Sequence, residues 1–356
     1  MFSLAANGMD IDCGFCWKSI WLDIVIVVDN SQNMTNDGLA LVVANVADTF
    51  ARVDFRTQYQ KTSRIGIVTY NKEASVAAYL DDGWYSTIGP ALSTVADTDQ
   101  SFLSLGLSKA QEVLSIGRAN GTRANYKQMI IVYAATVQGD SISIADSLKA
   151  NDIQISTIDM SFGDESVGAK LAKIGSSGMN FAYDPNIKQN LVAACCRVNC
   201  FCQDGWVGYR PTDQKYPSTC LQVFPTESTW NTANQVCQRF TNGYLVNELT
   251  IEKHDFVQEL VQNATGNNSY YHIGLNFVRG QWQWTQSYNW QLPLSDKDQQ
   301  ATLWSPGYPI STSVNTGVAN MLGSDGRVGW QNINPYKDSY PYICQKTPCS
   351  STTYCA

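Results

Sequence analysis

The pentad Asp29-Asn30-Ser31-Gln32-Asn33 follows a β-branched run at residues 22–28 and sets small oxygen-bearing side chains behind one carboxylate. Alternating oxygens of this kind suit a hard divalent cation such as Mg²⁺, which binds oxygen and keeps several waters. The same residue types favour a turn and a helix N-cap, and the pentad alone leaves both readings open. A second constellation is aromatic: Tyr288, Trp290, Trp304 and Tyr308 stand in a stretch punctuated by Gly, Pro, Asn and Ser. Such rings stack on sugars or protein partners when exposed and build a core when buried. Catalysis finds little to use. His254, on an expected helix, and His272, in an expected core strand, are the two histidines, and neither stands in a nucleophile motif. They read as a surface and a core histidine. With no Gly-rich phosphate loop and no closely spaced Cys/His ligand set, the chain reads as a binding protein and not an enzyme.

These groups need elements to hold them. In the first half, strands are expected at residues 22–28, 64–70, 129–132 and 153–158, and helices at 39–53, 102–114, 143–148 and 165–174. Near-continuous apolar strands alternating with amphipathic helices point to a parallel sheet covered on both faces, an α/β doubly wound domain. In such a sheet ligands gather at the carboxyl ends of the strands, where the pentad lies. From Cys202 onward the strands shorten, and seven of the ten tryptophans follow. Two helices are expected there, at 229–240 and 250–262, before a long irregular stretch. This half reads as α+β. The expected division is a segment 1–19, a domain 20–195, a second domain 196–346 and a tail 347–356.

At 356 residues the chain has room for two domains. A net charge of −7 argues against nucleic acid and anionic membrane as partners. No apolar run reaches the ~18–20 residues of a spanning helix, so no membrane insertion is expected. Eleven cysteines, none between residues 17 and 194, suggest an oxidising, extracellular setting with one thiol left over. Residues 1–12 carry neither a basic n-region nor an apolar h-region, so that setting carries the expectation of a leader missing from this chain. Cys13 and Cys16 have the spacing of a redox or zinc half-site without a second pair; a bridge from one of them to Cys195 or Cys196 is the expectation. A small tail loop closed by Cys349 and Cys355 is a further one. Sequons at Asn33, Asn120, Asn263 and Asn267 are glycosylation candidates in a secreted chain.

Residues 20–195 resemble a von Willebrand factor A domain. That family carries Asp-x-Ser-x-Ser after its first strand, a Thr before a middle helix and an Asp after its fourth strand, together a metal-ion-dependent adhesion site. Asp29 and Ser31 match, Asn33 stands for the second Ser, and Ser101 takes the Thr position. Ala134 stands where the Asp is expected. The resemblance implies a degenerate site of Asp29, Ser31, Asn33 and Ser101, holding Mg²⁺ or Ca²⁺ weakly at most, because one anion leaves much of a dication's dehydration uncompensated.

Residues 202–344 resemble a C-type lectin-like domain. The carriers are Cys202-Gln203-Asp204-Gly205-Trp206 with Cys220, Trp230 leading to Cys237, His272-Ile273-Gly274-Leu275, Trp282-Gln283-Trp284-Thr285 and Tyr342-Ile343-Cys344. The resemblance implies bridges Cys202–Cys220 and Cys237–Cys344. The second, spanning 107 residues, is worth ~4–5 kcal/mol in the chain-entropy model. The family's inner bridge is absent, with Val318 and a position near Pro335 in its place, so packing alone is expected to hold the long loop. Family sugar binding runs through Ca²⁺, held by carboxylates and amides around a cis-proline. Here Pro309 is kept, with a cis bond expected, but Tyr308 and Ile310 replace the ligands, and Trp330-Gln331-Asn332 lacks the later carboxylate. The lectin calcium site is therefore expected to be lost, and Asp296, Asp298 and Asp325 are weak candidates for another ion. Ligand-binding candidates are Tyr288, Trp290, Trp304, Tyr308, Pro309, Gln331 and Asn332. Secreted nematode proteins that pair these two modules are similar, and the pairing implies extracellular recognition of glycans or surface proteins, with a role in innate defence. The alternative is an adhesive or matrix protein with protein partners and no carbohydrate activity. The sequence is silent on oligomeric state.

Overall fold

The computed structural model describes residues 19–53, 55, 62–119, 123–211, 218–266, 270–294, 303–350, 353 and 355. Cys13, Cys16, Asn120, Asn267, Asp296 and Asp298 lie outside them. Two compact units result, one running to Cys200 and taking in Ser350 onward, the other Phe201–Cys349.

The first unit is built on β1 (Leu22–Asp29), whose eight residues are all buried. It is flanked by β2 (Arg64–Tyr70) and β4 (Lys127–Ala134), with β3 (Ala74–Ala78), β5 (Ile153–Asp159) and β6 (Asn180–Ala182) completing the sheet. The order is β3-β2-β1-β4-β5-β6, parallel except for the edge strand β3. Period-two alternation divides β1 between two cores. Ile24, Ile26 and Val28 pack with α1 (Thr35–Phe50), α2 (Trp84–Ala91) and α6 (Ile187–Val198). Val25 and Val27 pack with α3 (Leu103–Arg118), α4 (Ile142–Ala150) and α5 (Glu165–Ile174). Each such aliphatic side chain contributes ~1.5–3 kcal/mol on burial, which is why the strands need apolar residues on both faces.

Asp23 breaks the pattern. It is fully buried in β1, and its register partner on β2 is Arg64. Arg64 grips it bidentately, Nε to Oδ1 at 3.0 Å and Nη2 to Oδ2 at 2.7 Å, and Arg123 Nε adds a third bond at 2.9 Å.

Four elements of this unit escaped the sequence reading, β3, α2, β6 and α6. β3 and β6 are short edge strands, and α2 follows Gly83 with Gly89 and Pro90 inside it. α6 has helical spacing in Ile187, Leu191, Ala194, Cys195 and Val198, hidden because its cysteines look like a junction. Cys195 points into the core and is the free thiol among the described residues, whereas Cys196 is disulfide-bonded. Burial pushes the Cys195 thiol up to about 12, so it is inert. Cys200, Cys349 and Cys355 are also disulfide-bonded. α6 continues past residue 195, and the Ser350 carbonyl, in the stretch read as a tail, accepts a hydrogen bond from Trp21 Nε1 at 2.9 Å.

The second unit is a sheet with two helices. β7 (Val207–Tyr209), β8 (Thr219–Thr229), β15 (Ser339–Lys346), β10 (Tyr271–Val278), β11 (Gln281–Thr285) and β12 (Gln291–Pro293) run side by side. β9 (Tyr244–Leu245) joins β15, and β13 (Gly317–Leu322) pairs with β10 and with β14 (Val328–Ile333). α7 (Trp230–Cys237) starts at Thr229, whose hydroxyl accepts from the Thr232 amide, and α8 (Ile251–Thr265) starts likewise at Thr250. α7 docks through Trp230, whose Nε1 donates to the Ile273 carbonyl at 2.7 Å, and through the Cys237–Cys344 bridge to β15. The Cys202–Cys220 bridge is also formed.

Replacing Asp23 by Ala removes the buried counter-ion of Arg123 and leaves Arg64 with only the exposed Asp81. A loss of about 3–5 kcal/mol is expected, larger than for Arg123→Ala, and chemical denaturation of the two variants measures it.

Candidate functional site

At the carboxyl edge of the first sheet, Asp29 closes β1 and is fully buried. Its Oδ1 accepts from the Ser31 amide at 2.9 Å and its Oδ2 from Ser101 Oγ at 2.9 Å, so the fold does bring Asp29, Ser31 and Ser101 together. Burial pushes the Asp29 carboxyl above its usual range in spite of these bonds. The buried Ser31 hydroxyl makes no hydrogen bond of its own, though it lies near enough to favour the ionised carboxylate. Tyr70, the register partner of Asp29 on β2, adds a buried, unpartnered hydroxyl that the sequence reading missed. Asn33 is exposed and turned away, its Nδ2 donating to the Asp99 carbonyl at 2.9 Å.

The second carboxylate is missing from this level of the sheet. Ala134 stands beside the β1 end on β4, and its partner on β5 is Asp159. Two strand spacings, roughly 10 Å, separate Asp159 from Asp29. Asp159 instead receives the Ser161 amide at 2.8 Å in an Asp-x-Ser turn of its own. One carboxylate with two serine hydroxyls does not fit a tightly held dication, which wants more oxygens and more charge.

In the second unit, residues 303–316 form a loop leading into β13. Its Tyr308–Pro309 bond is cis, as expected. Asn332, on β14, is consumed in holding it: Oδ1 accepts from the Ile310 amide at 2.7 Å, and Nδ2 donates to the Ile310 and Asn315 carbonyls at 3.0 and 2.9 Å. Gln331 Nε2 donates to Ser305 Oγ at 3.2 Å. Trp304 belongs to the core, against Trp282 and Trp330 at 4.9 and 5.8 Å between ring centroids. Tyr308 is half-buried and Pro309 exposed. Tyr288 and Trp290 are the open aromatics, 73% and 69% exposed, in the turn between β11 and β12. Hydrogen bonds from Tyr288 Oη to Asn242 Oδ1 and from the Asn289 amide to Gln238 Oε1 fix that turn. The fold therefore separates the aromatic candidates into a core ring, a loop ring and an exposed pair.

Residues 23–193 match the family model of the von Willebrand factor type A domain, and residues 226–346 that of the C-type lectin domain. The chain carries a von Willebrand factor A domain followed by a C-type lectin domain. C-type lectin domain-containing protein 160 of Caenorhabditis elegans is 25% identical over 97% of this chain and 56% of its own length, so the chain spans little more than half of that relative. Lithostathine of Bos taurus is 29% identical over 41% of this chain and 77% of its own. Among solved structures, proximal thread matrix protein 1 of the mussel byssus, with a zinc-occupied MIDAS motif, aligns at 18% identity and a TM-score of 0.41, covering 52% of this chain and 47% of that one.

The lectin domain holds a charge network that the sequence reading did not find. Glu248, fully buried between β9 and α8, accepts from His254 Nδ1, Tyr271 Oη, Asn320 Nδ2 and Trp330 Nε1 at 2.8–3.2 Å. His254 is therefore not the surface residue expected of an exposed helix face; it is 4% exposed. Asn320 and Trp330 lie on β13 and β14, so this network fastens the strands that bear the loop. The expectation that packing alone holds the loop is corrected: Asn332 hydrogen-bonds its backbone, and donors on β13 and β14 are fastened to the Glu248 carboxylate. His272, by contrast, is a core histidine, bonded to the Ser228 carbonyl at 2.7 Å and pushed down to about 4 by burial. Asn263 is an exposed helix residue.

Burial opposes ionisation of both Glu248 and His254, but their mutual attraction and the added hydrogen bonds outweigh it. Glu248 is held below its ordinary 4.5 and His254 above its ordinary 6.5. The Glu248 contribution is full above 4.5 and is lost as pH falls through the lowered value. The His254 contribution is full below 6.5 and is lost as pH rises through the raised value. Stability conferred by the pair should thus peak between these two values. Thermal melts across pH should show this maximum in the wild type and not in Glu248→Gln, which should also lose about 3 kcal/mol or more.

Proposed function

We propose that this chain is an extracellular recognition protein whose C-type lectin domain binds glycans or other microbial and cell-surface ligands without calcium. The observation that carries the reading is the fate of Asn332. Its amide oxygen and nitrogen are both spent on the loop backbone, and Tyr308 and Ile310 flank the cis-proline where ion ligands would be needed. A Ca²⁺ ion wants ~6–8 oxygens with carboxylates among them. Recognition then falls to neutral polar groups and aromatic faces, with Tyr288 and Trp290 the most exposed rings among the sequence-derived ligand-binding candidates. Recognition is favoured over catalysis because both histidines are buried and engaged. The disulfides fit an oxidising compartment. Among the described residues no helix is long and apolar enough to cross a membrane.

The A domain serves as a partner module in this reading. Its Asp29 cluster binds Mg²⁺ or Ca²⁺ weakly, with Asp29, Ser31 and Ser101 as the residues that would hold the ion.

Two measurements check the proposal. The oxidised chain on a glycan array should give the same pattern with Ca²⁺ and with EDTA, and Trp290→Ala should weaken it; binding abolished by EDTA would overturn the metal-free reading. Adding Mg²⁺ at roughly 1 mM should shift the melting temperature by no more than about 1 °C, as for a site whose Kd exceeds the ion concentration.

A further inference from the structure

The sequon Asn33-Met34-Thr35 lies inside the pentad loop, at a position where the A domain departs from its family pattern. Asn33 stands for the second Ser of that pattern, and the structure turns its side chain sideways. Its Nδ2 gives one N–H to the Asp99 carbonyl at 2.9 Å, and the other has no acceptor among the described residues. Asn33 and Thr35 are exposed, while Met34 between them is buried and anchors the turn.

Thr35 supplies a second observation. Its φ of 60° and ψ of 160° fall in a region that suits glycine and strains a β-branched residue. The Thr35 hydroxyl accepts from the Gly38 amide at 3.1 Å and so caps α1. Capping alone does not ask for threonine, because Asn and Asp cap at least as well and tolerate positive φ better. A hydroxyl residue here does one thing that Asn, Asp and Gly cannot: it completes an Asn-x-Thr acceptor.

Asn33 also stands where loops cross. The Asp99 carbonyl that it bonds accepts Gln138 Nε2 as well, at 3.2 Å. Gln32 donates through Nε2 to Asp97 Oδ1 at 2.9 Å and through its amide to the Thr98 carbonyl at 2.8 Å. Ser101, at the end of this same stretch, is the residue that bonds Asp29. A group attached to Asn33 Nδ2 therefore stands at the rim of the Asp29 cluster.

We propose that Asn33 carries an N-linked glycan that covers the rim of the Asp29 cluster and withdraws this edge of the A domain from partner binding. The inference rests on the extracellular reading above. The donor is a lipid-pyrophosphate-linked oligosaccharide. Asn33 Nδ2 attacks C1 of its first sugar, so that an N–C1 bond forms and the bond from C1 to the phosphate oxygen breaks. The lipid pyrophosphate leaves with the electron pair, Nδ2 releases one proton, and nothing is oxidised or reduced. One N–H remains on Nδ2, the number that the Asp99 bond needs, so the folded loop accommodates the linkage. A glycan is bulky and hydrophilic, and it leaves recognition to the lectin domain.

The test exports the full chain from an insect or mammalian cell line behind an added leader. Glycosidase release in heavy-oxygen water turns each occupied Asn into a labelled Asp, read by peptide mass spectrometry. The Asn33 peptide should carry the label. Asn33→Gln and Thr35→Val should each remove one glycan from the chain, and Thr35→Ser should keep it. Carbodiimide labelling of carboxylates reads the cover. Asp97 and Asp99, both exposed, should react several-fold more slowly in the glycosylated chain than in Asn33→Gln, with Asp152 at the opposite edge of the sheet unchanged. If Asn33→Gln fails to fold, glycosidase treatment of the folded wild type gives the same comparison. An unlabelled Asn33 beside an occupied Asn263 overturns the site and leaves the extracellular reading standing. Occupied Asn33 with equal carboxylate labelling overturns the cover. A chain that stays in the cell with free thiols and no glycan overturns site and extracellular reading together.

Discussion

A single buried carboxylate organises the lectin domain. Glu248 has no solvent to ionise into, so its charge is tolerable only because donors from α8, β10, β13 and β14 converge on it. Removing water from a carboxylate costs several kcal/mol, and that cost fixes the position of every partner. An apolar residue at the same place would fill space without specifying which strand lies where. Here the demand for complete satisfaction sets β13 and β14 against α8 and β10, and the loop at residues 303–316 starts from that platform.

The consequence reaches the loop itself. With β14 anchored through Trp330, Asn332 lies two residues further along the same strand face and meets the backbone of Ile310 and Asn315. The side chain that would offer an oxygen to an ion is a strut. The domain thus keeps the shape of a loop with a cis-proline while its polar groups are turned to structural use. Near α7 the allocation is the opposite: the side-chain oxygens of Asn234, Asn276 and Gln291 are buried without a hydrogen-bond partner.

The A domain follows a parallel logic. Asp23 and Asp29 sit near opposite ends of β1, both fully buried. Asp23 is neutralised by two guanidinium groups and acts as a fastening between β1 and β2. Asp29 meets only neutral donors, and burial keeps it less ready to ionise. The difference between a structural and a ligand-type carboxylate lies in those surroundings and not in the residue. The loss of a carboxylate at Ala134 matters because parallel strands keep their spacing; Asp159 is on the same level but cannot move across a strand to replace it.

The alternation of apolar strands and amphipathic helices determined the doubly wound sheet by itself, because burial on both faces leaves no other use for such runs. The family resemblance carried by the cysteine and tryptophan motifs implied the lectin domain and its two bridges, and both bridges are formed. Asp29 and Ser31 were legible in the pentad itself, whereas Ser101, which bonds to Asp29, came only through the family resemblance. α6 was not legible, because its helical spacing was masked by cysteines, and neither was the role of His254, whose burial depends on an acid six residues away turning inward. Which aromatic is core and which is open, and which amide is a strut and which an unused acceptor, was decided only in three dimensions. Those outcomes depend on which hydrogen-bond partners arrive from distant strands, and a local pattern of residue types carries no record of that.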